Sequence, residues 1–180
     1  MKTLDPEAFQ DLLGQSKQVF RWMPRRDYLV DREQAAFADR LLPPDVDWWR
    51  EYMATMTHWT AAPPDGEGKV VQRVIVDDGD GNCPYQQWLA AADPFLREVG
   101  EDLRRIPREV AIEAGLPGYD FFVLIADGAT ALVLPLYDGS GRVGDRILVD
   151  YADSPDLVGQ HCAWRDLALN HAPAVALPAA

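Results

Sequence analysis

The sequence predicts an α+β fold: an antiparallel β-meander sheet packed by N-terminal helices and a C-terminal helix. Three observations carry that expectation. Apolar residues in the first half of the 180 residues recur mainly at helical spacing. From Asp102 onward, short apolar runs follow one another, joined by turn signals such as Asp127-Gly128. A closing helix then starts at Ser154-Pro155-Asp156. Helices first, then a meander, then a helix suits α+β better than an alternating α/β chain.

Taken in order, Asp5 caps a helix with Pro6 at its first position, and Phe9, Leu12 and Leu13 form its apolar face up to Gly14. Val19–Met23 alternates bulky and polar residues and is closed by Pro24, which predicts a short strand. Asp31, with Gln34 three residues on, caps a second helix that ends at Leu42-Pro43-Pro44. A third helix runs from Asp45 or Asp47 to about Thr57. Its Val46, Trp49, Met53 and Met56 stripe, flanked by Trp48, Tyr52 and Trp59, is read as core. Ala61–Gly68 is a loop and Lys69–Asp77 a β-branched strand.

After the acidic turn Asp77–Asn82, Pro84 opens a helix that restarts at Asp93-Pro94 and reaches Gly100. Leu103–Val110 reads as an edge strand around Pro107. Asp120–Ala126 and Thr130–Tyr137 form a hairpin, and Asp138–Gly141 turns into a third strand, Arg142–Tyr151. The last helix ends near Asn170. A single domain over 1–173 with a flexible tail at 174–180 is expected.

Composition narrows the function classes. With 48% hydrophobic and 26% charged residues, the chain is neither disordered nor collagen-like. Seventeen basic against 29 acidic residues give a net charge of −12, which argues against direct binding of nucleic acid. No apolar run reaches the roughly 18 residues of a membrane span. Asp5, Glu7 and Asp11 stand where a signal peptide would be apolar, so a cytoplasmic protein with Cys83 and Cys162 as reduced thiols is expected.

Several motifs fail on their own mechanics. Gly139–Gly144 matches G-x-G-x-x-G, but it leads into the strand residues Ile147-Leu148-Val149 and not into a helix whose N-terminus could hold a pyrophosphate. Asp78, Asp80 and Asn82 alternate as in a calcium loop, yet Cys83 and Leu89 occupy the positions of the glycine and the bidentate glutamate. His58, His161 and His171 lack zinc spacing, and no Gly-x-Ser-x-Gly elbow is present. Cys162 reads as a small apolar side chain on a buried helix face rather than a nucleophile. No metal and no cofactor is expected.

Ionisable residues embedded among apolar strand residues are the informative feature. Arg73 lies inside Val70–Val76, Asp120 opens Phe121-Phe122-Val123, Glu101-Asp102 follows Gly100, and Arg165 is flanked by Trp164 and Leu167. Such charges must be paired or solvated. One reading pairs Arg73 or Arg165 with Glu101 or Asp120, locking helices onto the sheet. The other places a polar cleft over the sheet, with Arg73 binding an anion and a carboxylate working as acid or base. Arg21, Arg25 and Arg26 form the basic cluster of the first half.

The series Phe20-Arg21, Tyr28, Glu33, Phe37, Trp59, Arg73-Val74, Tyr85, Gly100-Glu101-Asp102, Asp120-Phe121-Phe122, Tyr137-Asp138, Gly141 and Arg165-Asp166 resembles an actinobacterial single-domain family of unknown function. The likeness runs from about Val19 to Pro173. It implies a chain often encoded near helix-turn-helix regulators or in specialised-metabolite loci, and hence such a regulator as partner. The function expected is a small-molecule-binding or accessory protein acting with a regulator or a biosynthetic pathway. Arg73, Tyr137, Trp59 and Arg21 are its candidate ligand-binding residues. The alternative is a metal-independent acid–base enzyme using Glu101, Asp120 or Tyr85.

Overall fold

The computed structural model describes residues 1–25, 39–61, 68–79, 83–138 and 142–173. Outside them lie the expected helix capped by Asp31, most of the 61–68 loop, the end of the acidic turn, Gly139–Gly141, Arg26 and the tail at 174–180.

A seven-stranded open sheet has helices on both faces. The strands are β1 (Lys2–Leu4), β2 (Gln18–Met23), β3 (Val70–Asp77), β4 (Glu101–Pro107), β5 (Phe121–Ala126), β6 (Ala129–Tyr137) and β7 (Val143–Asp150). The helices are α1 (Pro6–Gln15), α2 (Asp47–Thr60), α3 (Pro84–Glu98), α4 (Arg108–Glu113) and α5 (Pro155–His171), and a 3-10 turn spans Pro43–Asp45. The spatial order is β1-β7-β6-β5-β2-β3-β4.

The α+β class holds, but the sheet is mixed and not a pure antiparallel meander. β2, β3 and β4 are parallel, while β5, β6, β7 and β1 run antiparallel. The cause is in the connections. β2 and β3 are joined through α2, and β3 and β4 through α3. A helix returning along the sheet brings the next strand in parallel.

Local chemistry explains the elements. The Asp5 carboxylate accepts from the Ala8 N–H at 2.8 Å, starting α1 as its cap. Asp127 (φ 38°) and Gly128 (φ 83°) make the tight β5–β6 turn, as Asp-Gly predicts. Three elements differ from expectation. β1 pairs with β7 and had no signal beyond Lys2-Thr3-Leu4. The edge strand β4 stops at Pro107, where Arg108 begins α4; Pro107 suits a strand end as well as an edge. Asp93-Pro94 does not restart a helix, because α3 runs through Pro94 without a break.

Side-chain alternation separates two cores. On one face Phe20, Trp22, Val74, Val76, Phe121 and Val123 pack beneath α4 and α5. On the other, Val19, Val71, Phe122 and Val133 meet Phe9 and Leu13 of α1 and Met56 of α2, while Met23, Ile75 and Leu103 meet α3.

Candidate functional site

A cleft of about 600 Å³ opens on this second face, bordered by α1, α2 and strands β2, β3, β6 and β7. Its sheet side is set by alternation. Arg21 of β2 and Arg73 of β3 are direct partners in the parallel ladder, so both project on the same face as Val19 and Val71. Glu101 opens β4 opposite Val71, two residues before Leu103, which pairs with Arg73, so it shares their face. Gly100 makes this placement possible. At φ 84° it turns the chain out of α3 into β4, and a Cβ there would come within 3.0 Å of the Thr60 Cβ.

Arg73 and Glu101 form an ion pair, Nε to Oε1 at 2.7 Å, with the glutamate side chain 1% and the arginine 13% exposed. Tyr52 of α2 completes the group. The Arg73 guanidinium donates to the Tyr52 hydroxyl at 2.8 Å, and that hydroxyl donates to Glu101 Oε2 at 3.3 Å. Burial first, then the Glu101 charge, pushes the Tyr52 phenol far up, against the opposing pull of Arg73 and Arg21. The phenol therefore stays protonated at neutral pH.

A second group lies at the end of β6. Tyr137 donates to Asp120 Oδ2 at 2.7 Å, and Arg25 Nε approaches the same oxygen at 3.2 Å. The Arg25 guanidinium also lies over the Tyr137 ring, 3.5 Å from its centroid. Burial, followed by the charge and hydrogen bond of Asp120, raises the Tyr137 phenol as well.

The cleft thus gathers four of the residues expected to bind a ligand: Arg21, Arg73, Tyr137 and Trp59. Glu101 also lines it. Asp120 stands behind Tyr137, outside the lining. Tyr85 is buried elsewhere, among Met23, Trp88 and Leu89. Arg165 meets neither Glu101 nor Asp120; its Nη2 pairs with the adjacent Asp166 at 2.7 Å. Of the paired-charge expectations, Arg73 with Glu101 is the one the structure assembles.

Three lining residues went unread in the sequence. Tyr52 was absorbed into an aromatic stripe, although Tyr52, Thr55, Met56 and Trp59 line the cleft at helical spacing. Arg142 and Arg146 lie at and within the last strand. Arg146 sits two residues before Leu148 on the apolar-facing side of β7, the same embedded-charge signal that singled out Arg73. The Arg146 Cζ lies 4.4 Å from the Phe9 centroid, and burial followed by the Arg21 charge pushes its guanidinium below the ordinary arginine value.

Among the described residues, no group of three or more His, Cys, Asp or Glu side chains is placed to hold a metal, and no helix is long and apolar enough to cross a membrane. No curated protein matches the sequence. A family model described as a domain of unknown function, DUF6879, matches residues 7–176, nearly the whole chain, and the protein belongs to that family.

Proposed function

We propose that the chain is a small-molecule-binding protein whose ligand is an anion held in the cleft between α1, α2 and the sheet. One observation carries the reading. In a chain with 29 acidic and 17 basic residues, the described residues lining this cleft include four arginines, Arg21, Arg73, Arg142 and Arg146, and one carboxylate, Glu101. Guanidinium groups suit the planar and tetrahedral oxyanions of metabolites, and their clustering in a concavity favours an anion over a cation. In such a role the protein would serve as accessory to a regulator or a biosynthetic pathway, responding to the ligand it holds.

An acid–base enzyme would want a carboxylate open to its substrate. Glu101 is 3% exposed and engaged by Arg73 and Tyr52, and Asp120 is 2% exposed and engaged by Arg25 and Tyr137. Those bonds favour fixed architecture, and with it the binding reading.

Thermal denaturation against a panel of anionic, neutral and cationic metabolites tests it. An anion present at 100 times its dissociation constant is expected to stabilise the fold by about 2.7 kcal/mol. The same ligand should stabilise Arg146→Gln less. Stabilisation by cations alone, or none by any anion, would overturn the reading. A ligand recovered chemically altered would turn the choice to the enzyme.

A further inference from the structure

We infer that the cleft takes an amphipathic monocarboxylate, its carboxylate on Arg146 of β7 and its apolar body against α1 and α2. The inference rests on the anion-binding reading above and narrows it to a ligand class and an anchoring residue.

The first ground is the division of charge between the two walls. Among the described lining residues, every charged side chain comes from the sheet or its strand ends: Arg21, Arg73, Glu101, Arg142 and Arg146. The helices contribute none. α1 and α2 supply Phe9, Leu13, Met56 and Trp59, with Gln10, Tyr52 and Thr55 as their uncharged polar groups. Yet α1 carries Glu7 and Asp11, and α2 carries Asp47, Arg50 and Glu51, all kept out of the lining. A ligand matched to both walls carries its charge on one side and apolar surface on the other.

The second ground is Arg146 itself. Arg73 is paired with Glu101 at 2.7 Å, and Arg21 and Arg142 have further interactions of their own. Arg146 differs. Its Nη1 donates to the Gly144 carbonyl at 3.3 Å and its guanidinium lies over the Phe9 ring at 4.4 Å, but it forms no ion pair among the described residues. Its Nε–H is buried without an acceptor, and its Nη2 makes no hydrogen bond to a described residue. A cation drawn out of water calls for an opposite charge, and one such cation calls for one negative charge. Nε and Nη2 share the guanidinium edge whose two parallel N–H bonds fit the coplanar oxygens of a carboxylate. Burial, and after it the Arg21 charge, hold this arginine below its ordinary value against the weaker pull of Tyr137 and Asp145; a carboxylate seated there would oppose that shift.

The third ground is reach. Phe9 and Leu13 stand one turn apart on the same face of α1. From Leu13 the wall continues to Trp59 through Lys69, whose ammonium donates to the Leu13 carbonyl at 2.5 Å and lies 3.9 Å from the Trp59 centroid. The apolar wall therefore runs from the Arg146 contact at Phe9 toward Trp59. At about 600 Å³ the cleft falls within the range of sites for whole small molecules. A ligand with a carboxylate alone would leave that wall unused.

Isothermal titration at pH 7.5 with four probes tests the inference: 1-naphthoate, 1-naphthyl phosphate, 1-naphthalenemethanol and acetate. Naphthoate should bind at least tenfold tighter than naphthalenemethanol, which keeps the body without the charge. It should exceed acetate, which keeps the charge without the body, by the same margin. Naphthyl phosphate, mostly a dianion at this pH, should bind no tighter than naphthoate. Arg146→Gln, with its fold checked by circular dichroism, should lose about tenfold for naphthoate. Arg146→Lys, which keeps the charge but not the two-donor edge, should recover only part of that loss. The probe comparison needs no variant, so the inference stays testable if these substitutions unfold the chain. Tighter binding of naphthyl phosphate would overturn the single charge, and equal binding of acetate the apolar body. An unchanged naphthoate affinity in folded Arg146→Gln would overturn the anchor. Each of these three outcomes leaves the anion cleft standing. Naphthalenemethanol binding as tightly as naphthoate, or failure of all four probes to bind, would overturn both the inference and the reading beneath it.

Discussion

The two faces of the sheet are made from the same strands and end up with opposite characters. Under α4 and α5, β2, β3 and β5 present Phe20, Trp22, Val74, Val76, Phe121 and Val123, all buried and apolar. One residue along each strand, the other face carries Arg21, Arg73 and Phe122, and β4 and β6 add Glu101 and Tyr137. A period of two residues is enough to put a closed core and a charged cleft on one backbone. The dry face is mostly apolar, with the Arg104–Asp102 pair at its β4 edge tied to the Leu169 carbonyl of α5, while the cleft face keeps charges that apolar side chains could replace at little loss of stability. That retention is what a binding surface would require.

The largest effect is expected on the dry face. Phe121 is wholly buried, packed against Phe20 at 5.8 Å and edge-on to His161 at 4.9 Å. Phe121→Ala should cost about 3–5 kcal/mol in urea denaturation. Where the variant still folds, its affinity for an anionic ligand should be unchanged. A loss of affinity in the folded fraction would mean that the two faces are coupled and the comparison is too simple.

Glu101→Gln sharpens the contrast from the other side, because stability and binding should move in opposite directions. Removing the buried carboxylate leaves the Arg73 charge without its 2.7 Å partner, at a cost of about 1–3 kcal/mol. It also removes a negative charge that lines the cleft, so an anion should bind more tightly. Parallel titration calorimetry and urea melts read both signs. If stability and affinity fall together, Glu101 belongs to the ligand's binding contacts and not to the scaffold that places Arg73.

What the sequence disclosed follows the same division. Arg73 was legible because a charge inside Val70–Val76 has no place on a strand unless it is paired or faces a cavity. The Glu101 partnership was legible as one of several pairings, since Gly100 marks a helix end and the acid follows directly. Tyr52 was not, because a hydroxyl on an aromatic and Met stripe leaves the apolar periodicity intact. The parallel pairing of β2 with β3 was hidden by its connection. The two strands are far apart in sequence, and direction depends on how α2 packs, which no local pattern records. Arg25 and Asp120 lie 95 residues apart and meet only because β2 and β5 are sheet neighbours.

The smallest expected effect concerns acid, and it too separates the faces. His161 of α5 is buried on the dry face, its ring near Phe121 and Trp164 at 4.9 and 4.8 Å. Its Nδ1 lies 2.8 Å from the Leu157 carbonyl, which can only accept, so Nδ1 carries the proton and Nε2 accepts from the Tyr119 hydroxyl at 3.1 Å. Burial pushes this histidine below its ordinary 6.5, and the Leu157 hydrogen bond offsets only part of that. As the pH falls through about 6.5 the unfolded chain takes up a proton there that the folded chain resists. The unfolded state then binds more protons, so stability declines with falling pH, and above that value His161 contributes no slope. Asp102, lowered on balance because the hydrogen bonds of Arg104 and Gln72 outweigh its burial, acts in the same direction but only as the pH drops below its ordinary 3.8. Between these limits His161→Gln should flatten the fall of the urea midpoint from pH 7 to pH 5. An undiminished fall would move the acid sensitivity off the dry face and toward the charged groups of the cleft.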